Sequence, residues 1–195
     1  MRIYINDNHI NDGKYSQMRL SKIFETVKQD LEDEIVKKIF LNDVEINEYY
    51  LKENVVDKKD IKELKFITQE TNKLIIETLK EIDNYLPKLK KGVLNASEFL
   101  RIGKYKEANK KYQLIIDGLE WYIKNTNYIG RLINNHSLSK RIRDNVLSLN
   151  EILVEMMEAY TSNDKVLVAD ILEYEIIEYI NGFQKLNKDI MEHVR

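Results

Sequence analysis

Three histidines, His9, His136 and His193, are the candidate imidazole ligands or bases of this chain. Only His193 has a carboxylate at helical spacing, Asp189 four residues before it; His9 has Asp12 nearby in a turn-forming stretch. A carboxylate and an imidazole one helical turn apart can grip a metal ion, but the same spacing makes an ordinary solvated ion pair, which is the expectation here. The Glu-x-x-His pairs by which helical bundles hold two metal ions are absent from the sequence. So is cysteine, which removes disulfides, thiol nucleophiles and thiolate ligands. Ser137 with Lys140 and Ser162 with Lys165 match a serine–lysine spacing used in acyl transfer. Both serines fall at expected helix starts, where N-capping accounts for them. The sequence has neither a G-x-S-x-G nucleophile turn nor a glycine-rich phosphate cradle. No catalytic, cofactor-binding or metal-binding residue is assigned, and the reading leans away from an enzyme.

The elements that would position any site come from hydrophobic spacing. Apolar residues recur at steps of three and four: Ile75, Leu79, Ile82, Leu86, Leu89, Val93, Ala96, Leu100, then Tyr105, Ala108, Tyr112, Ile115, Leu119, Tyr122. A third stripe runs Ile142, Val146, Leu149, Leu153, Met156, Tyr160, and a fourth Val166, Ala169, Ile176, Ile180, Phe183, Ile190, Val194. The spacing keeps one side of each helix apolar over many turns, and facing helices are the natural way to bury it. Helices are expected over about 70–102, 104–129, 138–161 and 164–194, the first roughly 50 Å long. Pro87 predicts a kink in the first, and Gly103 ends it. Glu173 and Asn187 interrupt the fourth stripe, where a polar residue sets register or marks the bundle's end.

Composition agrees. The 195 residues are 33% charged and 43% hydrophobic with one proline and six glycines, as for a folded protein of long elements. No apolar run suits a signal peptide or a membrane span, so a cytoplasmic location is expected. A net charge of −2 gives no argument for nucleic acid or membrane partners. Locally the chain is polarised. Residues 88–111 carry Lys88, Lys90, Lys91, Arg101, Lys104, Lys106, Lys110 and Lys111 against two acids, whereas 151–178 carry eight acids against Lys165. This pattern either steers the two hairpins together or offers the basic tip to an acidic partner.

The first seventy residues have a different rhythm. Arg2–Asn6 alternates as a half-buried strand, Asp12-Gly13 marks a turn, and Tyr15–Leu20 returns as a second strand. Ser21 caps a helix carrying Ile23, Phe24, Val27 and Leu31. Val36–Leu41 is a strand, Asn42-Asp43 a turn, and Val44–Ile46 a short return. A polar turn at Asp57–Asp60 precedes a last strand with Ile61, Leu64 and Phe66, and Tyr49-Tyr50 lies in a loop against the bundle. The order strand, strand, helix, strand, short strand, strand resembles the ubiquitin-like β-grasp domain over residues 1–68, most clearly in Lys38–Ile46 and Glu63–Ile67. That resemblance implies a binding module. The diglycine tail used for conjugation is missing, and the chain continues through Thr68-Gln69-Glu70 into a helix. The expected architecture is α+β: a β-grasp-like domain over 1–69, then an antiparallel four-helix bundle over 70–195.

Shifting the chain by 61 residues superposes Ala108 on Ala169, Ile115-Ile116 on Ile176-Ile177, Leu119 on Ile180, Tyr122 on Phe183, and Phe99 on Tyr160. The bundle therefore reads as two similar hairpins. Under this shift Gly118 meets Tyr179 and Trp121 meets Gly182, a glycine and an aromatic in swapped order. The aromatics either pack on the glycines between the second and fourth helices, or face outward. Trp121, Tyr128, Tyr174 and Tyr179 are the candidate partner-binding residues.

The expected function is that of a non-enzymatic cytoplasmic adaptor or chaperone-like protein that docks another protein, with self-association through a leftover apolar stripe as a further reading. Small bundles of this kind resemble bacterial export chaperones, including flagellar ones, in architecture, and the Ile-, Lys- and Asn-heavy usage looks like that of an AT-rich bacterial genome. The alternative is an enzyme or small-ligand-binding protein with a pocket between the two domains.

Overall fold

Residue alternation and short turns shape the N-terminal part of the computed structural model, which describes residues 1–10, 12–15, 17–53 and 60–195. The chain divides into two units, Met1–Leu74 and Ile75–Arg195. In the first, β1 (Arg2–Ile5) pairs antiparallel with β2 (Asn8–Ile10). A 3-10 turn (Asp12–Tyr15), α1 (Leu20–Asp30), β3 (Glu34–Leu41), β4 (Val44–Ile46), α2 (Glu48–Lys52) and β5 (Glu63–Glu70) follow. The mixed sheet has the order β2-β1-β5-β3-β4, with β1 and β5 parallel and Ile3 opposite Leu64. Ile23, Phe24 and Val27, one face of α1, join Ile3, Ile39, Leu41, Leu64 and Phe66 in a buried core.

Three local expectations are corrected. The second strand is Asn8–Ile10, because Asn6 takes a left-handed φ of 54° and closes the hairpin before the Asp12-Gly13 signal, which goes into the 3-10 turn. Arg19, not Ser21, occupies the N-cap of α1, and its side chain makes no capping bond. Tyr49 and Tyr50 sit in α2; Tyr50 packs on the first unit's core while Tyr49 is 66% exposed. The Asn42-Asp43 turn takes positive φ at both residues, 47° and 67°, as a tight two-residue hairpin requires. The turn expected at Asp57–Asp60 lies, except for Asp60, outside the described residues.

The second unit is a helical bundle, so the protein is α+β. It comprises α3 (Thr71–Arg101) from Ile75 onward, α4 (Tyr105–Leu132), α5 (His136–Thr161) and a last leg made of α6 (Lys165–Asp170), a π-helical segment (Ile171–Ile176) and α7 (Ile177–Val194). The helix assignment of α3 continues through Pro87. Cross-helix contacts fix an up-down-up-down order. α3 touches α4 through Tyr85 and Trp121, α4 touches α5 through Tyr112 and Tyr160, and α5 touches α7 through Arg141 and Asp189. The last leg returns to α3 through Lys90–Asn181 and Ser97 on the Ala169 carbonyl. α4 and α7 meet across the centre, where the Tyr122 and Phe183 rings stack with centroids 3.9 Å apart.

The helix ends repeat. Gly103 (φ 74°) and Asn163 (φ 62°) occupy the left-handed position after α3 and α5. At the first end Gly103 N bonds Leu100 O and Lys104 N bonds Phe99 O; at the second Asn163 N bonds Tyr160 O and Asp164 N bonds Ala159 O. Those paired bonds satisfy the last carbonyls of each helix. They also correct the expected alignment: Leu100, not Phe99, is the equivalent of Tyr160, an offset of 60. The 60-residue offset also carries buried Ile82, Leu86, Leu89 and Ala96 onto buried Ile142, Val146, Leu149 and Met156. From Ile176, the last residue of the π-segment, onward the offset is 61: buried Ile115, Leu119, Tyr122, Thr126 and Ile129 fall on buried Ile176, Ile180, Phe183, Asn187 and Ile190. A π-turn holds one residue more than an α-turn in the same axial length, so Ile171–Ile176 is where the extra residue is absorbed.

Candidate functional site: a groove between the third and last helices of the bundle

The two seams related by these offsets are filled differently. In the α3–α4 seam Gly118 lets a ring approach: a Cβ there would lie 2.3 Å from Tyr85 Oη and 3.1 Å from Leu89 Cδ1. The Tyr85 ring meets the Trp121 indole edge-on, centroids 5.1 Å apart. Those two rings close the seam. The partner of Gly118 is thus Tyr85 of α3, and the expected exchange between Gly118 and Tyr179 across α4 and the last leg does not occur.

In the α5–α7 seam the equivalents of Tyr85 and Trp121 are Asn145 and Gly182. A carboxamide and a bare backbone cannot fill the volume of two rings, and a Cβ added at Gly182 would meet nothing within 4 Å. What remains is a groove of about 410 Å³ lined by Asn145, Ile152, Glu175, Glu178, Tyr179 and Gly182. The equivalents of the other four are Gly92, Leu114, Asp117 and Gly118, so the groove lacks the two rings of the first seam and carries Ile152 and the Tyr179 ring where that seam has glycines.

Its lining is one-sided chemically. Asn145 Nδ2 donates 3.1 Å back to the Arg141 carbonyl, which uses one of its two N–H donors and leaves Oδ1 as an acceptor. Glu175 and Glu178 form no ion pair among the described residues, whereas their neighbours do. Asp170 and Glu173 hold Arg101 at 2.7 and 2.9 Å, and Asp189 holds Arg141 at 2.7 Å. The Asp170 and Glu173 contacts raise the Arg101 pKa further. Ile152 and the half-buried Tyr179 ring supply the apolar floor.

The four candidate aromatics do not form one surface. Trp121 is half-buried in the α3–α4 seam and Tyr179 lines the opposite groove. Tyr128 is 37% exposed beneath Arg131, whose guanidinium carbon lies 5.9 Å from the ring centroid, and Tyr174 is 62% exposed. α4 and α7 meet through Tyr122 and Phe183, so their outer faces point apart. Leu114, 60% exposed, extends the Trp121–Tyr128 line by another seven residues, an addition the spacing alone could have supplied.

The remaining chemical candidates resolve into structure. His193 Nδ1 lies 3.5 Å from Asn135 Nδ2 while Asp189 binds Arg141, so the expected pair exchanges partners. His9 packs edge-on against Tyr4 in the β1–β2 hairpin. His136 is the first residue of α5. Asn135 caps α5 in place of Ser137, and Asp164 caps α6; Ser162 instead donates to the Ala159 carbonyl at the end of α5. Glu173 accepts from Ser97 and Arg101, tying the π-segment to α3. Asn187 is buried and donates to Asp83 at 3.0 Å. Its Oδ1, with Tyr122 Oη and Thr126 Oγ1, finds no hydrogen-bond partner among the described residues. Burial pushes the Tyr122 hydroxyl pKa up and keeps it protonated. Among the described residues no group of three or more His, Cys, Asp or Glu could hold a metal ion.

A family model described as a domain of unknown function, DUF8042, matches residues 77–186, more than half of the 195 residues. The chain belongs to this family. The DUF8042 match falls within the second unit and contains every residue of the groove, as well as Tyr85, Gly118 and Trp121. No curated protein and no solved structure matches the chain.

Proposed function

We propose that this chain is a non-enzymatic adaptor or chaperone-like protein of the bacterial cytoplasm, which works by seating part of another protein in the α5–α7 groove. The observation that carries the reading is the unfilled seam. The same helical packing is closed by Tyr85 and Trp121 in one half and open at Asn145 and Gly182 in the other. A space of about 410 Å³ with an apolar floor suits one or two inserted side chains. Gly182 and Glu178 of its lining are exposed, as a segment lying across it requires. No helix among the described residues is long and apolar enough to cross a membrane.

We also read the first unit as a ubiquitin-like β-grasp module. Supporting this are the order β2-β1-β5-β3-β4, the parallel central pair β1–β5, and α1 connecting β2 to β3. By analogy with that fold such a unit would offer a second binding surface, although a fold alone does not fix function.

Capture from lysate of the native host tests the reading, with wild type and Gly182→Trp compared side by side and circular dichroism confirming that the variant is folded. A stoichiometric protein retained by wild type and lost by Gly182→Trp is the expected result. Retention of a small molecule in place of a protein, or capture indifferent to the plug, would refute it.

A further inference from the structure

We infer that the occupant of the α5–α7 groove is an arginine or lysine side chain of the partner protein. This deepens the proposed function and rests on it. The groove presents acceptors: the Glu175 and Glu178 carboxylates, which have no ion-pair partner among the described residues, joined by Asn145 Oδ1, while one of the two Asn145 N–H donors is held by the Arg141 carbonyl. An acceptor-rich rim calls for a donor-only head group, which guanidinium and ammonium are and carboxylates and phosphates are not. Ile152 and the Tyr179 ring in the lining suit the aliphatic stem of such a side chain. The whole 151–178 stretch carries eight acids against Lys165, so the surrounding field attracts the same sign of charge. The half-symmetry supplies the shape. Where the first hairpin plugs the seam with long side chains of its own, the second leaves room for a long side chain from outside.

The full-length protein is titrated with a fluorescent amphipathic helical peptide of Leu and Lys, and with its Leu/Glu counterpart. Wild type is expected to bind the Leu/Lys peptide, less tightly as salt rises, and to ignore the Leu/Glu peptide. Glu175→Gln/Glu178→Gln is expected to weaken binding roughly tenfold, as two half-exposed ion pairs would. Glu151→Gln/Glu158→Gln removes the same net charge from exposed positions outside the groove and is expected to change affinity little. Equal losses in the two double variants, or none in the first, overturn the assignment. The native-host capture separates the two levels of inference. A partner lost by Gly182→Trp but kept by Glu175→Gln/Glu178→Gln leaves the docking groove standing and removes the cation from it.

Discussion

Gly118 and Gly182 each sit within a helix of the second unit, in seams related by the half-symmetry, and a methyl group added at each is expected to act in opposite directions. Both gain about 1 kcal/mol of helix propensity on replacement by alanine. At Gly182 nothing lies within 4 Å of the new Cβ, so the gain survives. At Gly118 the Cβ would stand 2.3 Å from Tyr85 Oη and 3.1 Å from both Tyr85 Cζ and Leu89 Cδ1. Tyr85 must move, and its ring is held edge-on against Trp121. Overpacking of this kind costs about 1–3 kcal/mol, which leaves Gly118→Ala net destabilising by roughly 1 kcal/mol and separates the two variants by about 2. Trp121 is the sole tryptophan, and it lies in the bundle, so its fluorescence during urea unfolding reports the second unit alone. With a slope of about 2 kcal/mol per molar, the two midpoints should stand about 1 M apart. Adding Tyr85→Phe, which removes the closest atom, should recover much of the Gly118→Ala loss. Midpoints that move together for Gly118→Ala and Gly182→Ala would refute the account of the two seams.

Trp121→Ala should destabilise the bundle by about 1–3 kcal/mol, read by circular dichroism, because its half-buried ring completes the closed seam; an unchanged melt would place the ring on a free surface instead. Thr126→Val replaces a buried hydroxyl, which lies against the Tyr122 hydroxyl without meeting it in good hydrogen-bond geometry, by a methyl, and should stabilise by up to about 1 kcal/mol in chemical unfolding. A loss of similar size would show that the hydroxyl contributes to the fold. Gly103→Ala, at φ 74°, should cost about 1 kcal/mol, while Asn163→Gly, at φ 62°, should hold or slightly raise stability. The opposite order in thermal melts would contradict the left-handed caps.

Much of the bundle was legible because its signal is redundant. Each helix carries six or more apolar residues at steps of three and four, and no single exception moves a helix. The expected limits fall within three residues of those observed for α3, α4 and α5. In the small sheet each strand has only a few residues, so one turn decides its place. Asn6 closing the hairpin early was enough to misplace β2. The offset of 61 was readable in the Ile-Ile pairs and in Tyr122 over Phe183, but the step from 60 was not. Val168 and Ala169 are both buried, so either alignment matched Ala108 to an apolar residue. The groove escaped notice for another reason: it consists of absent side chains on two separate helices. Comparing Tyr85 with Asn145 alongside Trp121 with Gly182 would have exposed it, but that pairing needs both offsets at once.

The π-segment also determines where the last leg can tolerate a change in length. Each residue turns an α-helix by about 100°, so one residue lost after Ile177 would swing every later side chain from the core toward solvent. Phe183, Asn187 and Ile190 would all leave their places together. One residue lost from Ile171–Ile176 would merely tighten the wide turn into an ordinary one and leave the faces above and below it where they are. Length variants of this family's last helix should therefore collect in that stretch and stay out of α7.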